Sequence, residues 1–257
     1  MKYRPVYWKS NPVVPEEIIM NSLFVFASVR VVHIFFGSIA LFVAPAAMLT
    51  CKGGLWHRRW GKTYFWSMAV VATTAVVMAL IRSGLFFLLL AFFSFYLAFT
   101  GYQILYRKTP QQRANRADWI AVSTMLLGGL ALITYGVYLM LTSSIGTVAI
   151  VFGAIGVFFA VTDIRTFLHP PKEKQAWWYI HMTRMLSAYI ATVTAFSVVN
   201  FHFLPPVARW LWPTVVGTVG ISVWRGYYQR KFNRPAEPLA SARLATDVTP
   251  MTPLEKE

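Results

Sequence analysis

LFFLLLAFFSFYLAFTGYQIL, residues 85–105, runs without one charged side chain. A hydrocarbon core about 30 Å thick takes roughly 20 apolar residues of helix to cross, so this stretch reads as a membrane span. Six further segments read the same way, at 23–49, 63–81, 119–141, 145–162, 177–199 and 207–224. They predict an all-α, integral membrane seven-helix bundle. Composition agrees: 57% of the 257 residues are hydrophobic and 13% are charged, against about 25% charged in soluble proteins. Most of the connections are short or moderate, which favours one bundle over a string of domains. The expected organisation is an outer segment rich in Pro and aromatic residues at 1–22, a helical domain at 23–224, and a basic segment with a polar tail at 225–257.

The basic residues alternate from loop to loop. Lys52, Arg58, Arg59 and Lys62 fall between the first two spans. Arg107, Lys108, Arg113 and Arg116 fall between the third and fourth, and Arg165, Lys172 and Lys174 between the fifth and sixth. The intervening loops, with the first turn of the last span, hold only Arg82 and Arg209. Positively charged loops stay in the cytoplasm, so the N-terminus is expected outside and the C-terminus in the cytoplasm of a bacterial inner membrane. The net charge of +15 would otherwise raise nucleic acid as a partner. Here the charges are juxtamembrane, where topology and anionic lipid account for them, and no nucleic acid is expected. Arg225, Arg230, Lys231 and Arg234 directly follow the last span and read as contacts to anionic lipid on the cytoplasmic side.

Cys51 is the only cysteine, which excludes an intrachain disulfide and cysteine-based zinc or iron–sulfur sites. No cleavable signal peptide is expected, because the first apolar run is too long for a signal h-region. The ten Trp lie in tails, loops or near span ends, as in an interfacial aromatic belt. Small residues suited to close helix approach recur at Gly37, Ala40 and Ala44, then at Gly128, Gly129, Gly136, Gly153 and Gly156, and at Gly217 and Gly220. Residues 235–257 carry four Pro and few large apolar groups, a composition that stays disordered when alone. No inverted repeat of the transporter kind is visible.

Ionisable groups inside spans are costly and are therefore the first functional candidates. Arg30 and His33 share a face of the first span, and His181 and Arg184 share a face of the sixth. No Asp or Glu sits deep in a span, which argues against proton pumping and carboxylate-coupled transport. His33 and His181 are candidate axial ligands for haem b, since neutral imidazole binds iron well. The competing reading is a pair of histidines hydrogen-bonded within the bundle. His57, Asp118, Asp163 and His169 lie at inner span ends and are candidate ligands for a metal ion. Against this, Asp118 precedes Trp119 where a carboxylate caps a helix start, and Asp163 can pair with Arg165 or another base. No phosphate-binding loop, dinucleotide fingerprint, nucleophile elbow or acid–base carboxylate pair is present.

Four segments carry a resemblance. They are His33-Ile-Phe-Phe-Gly37; Lys52 to Met68, with the core His57-Arg-Arg-Trp-Gly-Lys62; Phe93 to Tyr102; and His181 to Asn200, which contains Arg184-Met185 and Tyr189-Ile-Ala191. Together they resemble an uncharacterised family of polytopic bacterial membrane proteins, over roughly residues 30–220. The resemblance implies a multi-helix bundle and a shared pattern at His33, His57, Arg58, Asp118, Asp163, His181 and Arg184. It brings no activity with it.

The function expected first is a non-catalytic accessory or structural subunit of a bacterial respiratory or photosynthetic membrane complex, joined to other subunits through both tails. The second is a redox protein binding haem or metal through the histidines above. The third is a transporter for a small solute. An enzyme is disfavoured because no catalytic constellation is found.

Overall fold

The computed structural model describes residues 16–82 and 84–232. They form seven α-helices: α1 Glu16–Leu49, α2 Leu55–Ile81, α3 Leu85–Gln103, α4 Arg116–Leu139, α5 Ile145–Leu168, α6 Ala176–Asn200 and α7 Pro206–Phe232. A single 3-10 turn, Ile104–Tyr106, extends α3, and no strand occurs among the described residues. The six helices α1 to α6 are long and apolar enough to cross a membrane. This chain is therefore a multi-pass membrane protein. The seventh helix forms over the expected region but is less apolar, because Arg209, three Trp and two Pro dilute its aliphatic residues.

Several helices outrun their predicted spans. The helix α2 begins at Leu55, eight residues before 63, so His57, Arg58, Arg59 and Lys62 lie on its first turns. Helical backbone satisfies its own hydrogen bonds, so it continues past the hydrocarbon while long basic side chains reach water. What starts α2 there is a tight turn. Gly53 adopts φ +77°, a left-handed conformation that suits glycine, and Gly54 N-caps the new helix. Lys52 donates from Nζ to the carbonyl of Met48 and so caps the end of α1. Partial burial pulls its ammonium below the usual lysine range. The helix α1 begins at Glu16, within the segment expected to be irregular. The rest of that segment, the 235–257 tail and Arg234 lie outside the described residues.

At the centre stands α3, packed against α2, α4, α5 and α6, while α1 lies against α2 and α6. Phe86, Phe93, Tyr96, Leu97 and Ala98 of α3 are buried among Met125 and Leu132 of α4, Phe152 of α5 and Trp210 of α7. Lipid chains are as apolar as Leu, so burial gives little drive for membrane helices to associate, and close packing must supply it. The α4–α5 pair shows this packing at its closest. A Cβ on Gly146 would lie 2.6 Å from the carbonyl oxygen of Gly136, and one on Gly153 would lie 2.7 Å from that of Gly129. The two backbones touch, and only glycine leaves room. Outward-facing Phe24, Phe35, Phe42, Phe158 and Val215 remain exposed, as helices facing lipid require.

The compact helical unit extends to Val219, and residues from Gly220 form a second unit. In that second unit Lys231 lies over the Tyr228 ring at 6.0 Å, and Tyr228 packs on Phe232. Arg225, Arg230 and Lys231 are exposed on these last turns of α7.

Candidate functional site

His57, Asp163, His181 and Arg184 gather where α3 and α5 end and where α2, α4 and α6 begin. Asp163, near the end of α5, is 5% exposed, and Arg184, two turns into α6, is 3% exposed. Arg184 Nη2 donates to Asp163 Oδ1 at 2.6 Å and to the Phe159 carbonyl at 3.1 Å. The Tyr96 hydroxyl of α3 donates to Asp163 Oδ2. The guanidinium also lies over the Phe159 ring at 3.9 Å. Three helices are thus tied at one carboxylate. Its pairing with Arg165 is ruled out by geometry, since residues two apart on a helix face away from each other. Arg184 Nη1 is buried without a partner.

One turn before Arg184, His181 Nδ1 lies 2.6 Å from the Gly101 carbonyl. A carbonyl only accepts, so Nδ1 carries the proton. Gly101 permits the approach: a Cβ there would meet Arg184 Cβ at 3.0 Å. On α2, His57 Nδ1 likewise donates to the Ala47 carbonyl at 2.9 Å. The two imidazole rings stand 6.3 Å apart, nearly perpendicular. In their neutral forms both leave Nε2 as the lone-pair nitrogen.

Asp118 belongs to a neighbouring network. Asn115 caps α4 by accepting from the Asp118 N–H at 2.9 Å, and Asp118 Oδ2 accepts from the Asn115 N–H at 2.8 Å. This reciprocal capping box places Asp118 one turn inside the helix rather than at its cap. Its other oxygen accepts from Arg107 Nη2 at 3.2 Å. Arg107 itself lies over Phe167 at 4.6 Å, and its Nε is buried without a partner.

These contacts divide the sequence-derived candidates. The expected metal set does not converge: Asp118 is held by Arg107, Asp163 by Arg184 and Tyr96, and His169 stays exposed where α5 ends. Among the described residues no three His, Cys, Asp or Glu side chains gather as a metal site. His33 bonds through Nδ1 to Thr74 Oγ1 at 2.9 Å, and Thr74 is hydrogen-bonded in turn to its own helix. Thr74 lies about 25 Å further along α2 than His57, at a rise of about 1.5 Å per residue. His33 and His181 therefore sit at opposite ends of the bundle and do not face each other across one haem. Arg30 is exposed on α1, apart from the site.

Tyr96, Gly101 and Arg107 were not among the sequence candidates. A tyrosine within the apolar run 85–105 was the available signal for the first, since a buried phenol needs a partner. No protein-family model, curated protein or solved structure matches this chain. The family resemblance accordingly rests on its four segments alone.

Proposed function

We propose that this chain is a non-catalytic accessory or structural subunit of a bacterial respiratory or photosynthetic complex in the inner (cytoplasmic) membrane. The observation that carries this reading is the use made of the intramembrane charge. Asp163 and Arg184 hold each other, with Tyr96 and the Phe159 carbonyl as further partners. A buried ion pair adds little net stability, and its best-attested use is to specify one arrangement of helices over others. The polar chemistry within the bundle thus serves a fixed shape, as a scaffold requires. The basic ends of the α2, α4 and α6 starts support a cytoplasmic location for that face, with the N-terminus outside and the C-terminus inside. Arg225, Arg230, Lys231 and Arg234 then meet anionic lipid, and the two tails reach other subunits. Gentle-detergent co-purification tests the reading: a constant set of partner proteins is expected, and loss of that set on deleting residues 235–257 locates the contact. Recovery of the chain alone from its native membrane overturns it.

A second reading, a haem- or metal-binding redox protein, is favoured by one observation. His57 and His181 each donate Nδ1–H to a backbone carbonyl, the arrangement that orients a ligating imidazole. Under this reading the ligand pair is His57 with His181. Stoichiometric metal or a visible haem band, lost in His181→Ala, supports it. Protein purified without either removes it.

A further inference from the structure

Beside Arg107 the loop 107–114, the last turn of α5 and the 169–175 loop line a small open cleft, bounded by the first turn of α6. Arg107, Lys108 and Arg113 line it, against Glu173 as the one lining carboxylate. Asp118 is already shared between Arg107 and the α4 capping box, which leaves Arg107 Nε buried without an acceptor. Lys108 lies over the Trp177 ring at 4.8 Å, so its charge is held at the cleft wall. Gln112 Oε1 accepts from the backbone N–H of Lys108 at 2.7 Å and of Thr109 at 3.1 Å, which fixes the loop carrying these cations. Pro110, Pro170 and Pro171 stiffen both walls. The lining therefore offers fixed cationic donors in excess over acceptors, one of them buried and unused. That is the chemistry of a phosphate site. Trp177, at the start of a span, sets the cleft at headgroup depth, and Phe167 and Ile180 continue it with apolar surface.

We propose that this cleft binds the phosphate of an anionic phospholipid, with the acyl chains leaving along the outer faces of α5 and α6. Neither His57 nor His181 lines the cleft, and the site does not depend on the accessory-subunit reading.

The test is native mass spectrometry of the full chain, delipidated in neutral detergent and titrated with phosphatidylglycerol, phosphatidylcholine or inorganic phosphate. Tight binding of phosphatidylglycerol over phosphatidylcholine is expected. Lys108→Gln with Arg113→Gln, both at exposed positions, should weaken it about tenfold to thirtyfold. Arg107→Lys should weaken it too while retaining a cation beside Asp118. Arg59→Gln with Lys62→Gln removes the same charge from another basic segment and should change binding less than about threefold. Competition by millimolar inorganic phosphate, with the same sensitivity to the variants, upholds the phosphate site. Binding of inorganic phosphate without binding of the lipid overturns the lipid as its source. Equal losses in the two charge-removal variants, or no preference between the lipids, overturn the site itself.

Discussion

Asp163 and Arg184 are each nearly fully buried, and each would be an uncompensated charge without the other. Removing one partner of such a pair costs about 3–5 kcal/mol, whereas replacing both with apolar groups of similar size is often neutral. Asp163→Ala should therefore lower the thermal midpoint in detergent sharply, and Asp163→Leu with Arg184→Met should recover most of the loss. Tyr96→Phe removes one hydrogen bond to the carboxylate and should cost about 1–3 kcal/mol, less than loss of the arginine. A double variant no more stable than Asp163→Ala would contradict this account of the pair. His33, His181 and Arg184 were legible as polar residues inside the membrane, because they interrupt apolar sequence, whereas Asp163 read as lying just past a span and is instead buried within α5. Their partners were not legible. Asp163 meets Arg184 across 21 positions and His181 meets Gly101 across 80. Such pairings follow from helix order around the bundle, which hydropathy does not encode.

Among the elements, the existence and order of the helices follow from apolar run length, and the structure keeps that order. Their ends were less legible. A window of apolar residues marks where hydrocarbon ends and not where helix ends, so Leu55–Lys62 of α2 and Asp163–Leu168 of α5 read as loop while both are helical. The glycine stripes carried more information: Gly129, Gly136, Gly153 and Gly156 belong to the α4–α5 contact, with Gly146 as a fifth member. Gly146→Leu should force these helices apart and lower the thermal midpoint by the equivalent of several kcal/mol, since overpacking a close contact costs about 1–3 kcal/mol or more. Gly61→Ala is the control. It meets no atom within 4 Å, and alanine's better helix propensity should leave stability unchanged or slightly raised. Equal effects of the two substitutions, measured by thermal unfolding in the same detergent, would sink the close-packing account.

For the whole molecule, the helical unit has one polar, basic end. Lys52, Arg58, Lys62, Arg107, Lys108 and Arg116 all lie where α1 and α3 finish and α2 and α4 begin. The opposite end holds Arg82, stacked on Phe26, and Arg209, hydrogen-bonded to His202. Cys51 is exposed at the basic end and is the chain's single thiol. A membrane-impermeant maleimide should therefore label it in inverted vesicles and not in intact cells. Labelling in intact cells would reverse the proposed orientation. The central claim concerns what this bundle belongs to, and the mass of the intact assembly tests it most directly. Protein extracted from its native membrane in gentle detergent and weighed by native mass spectrometry should give one defined mass well above 29.2 kDa, reduced when residues 235–257 are removed. A bare 29.2 kDa species, or a simple multiple of it, would contradict the subunit reading. Added mass matching haem or a metal ion on that bare species would transfer the function to His57 and His181.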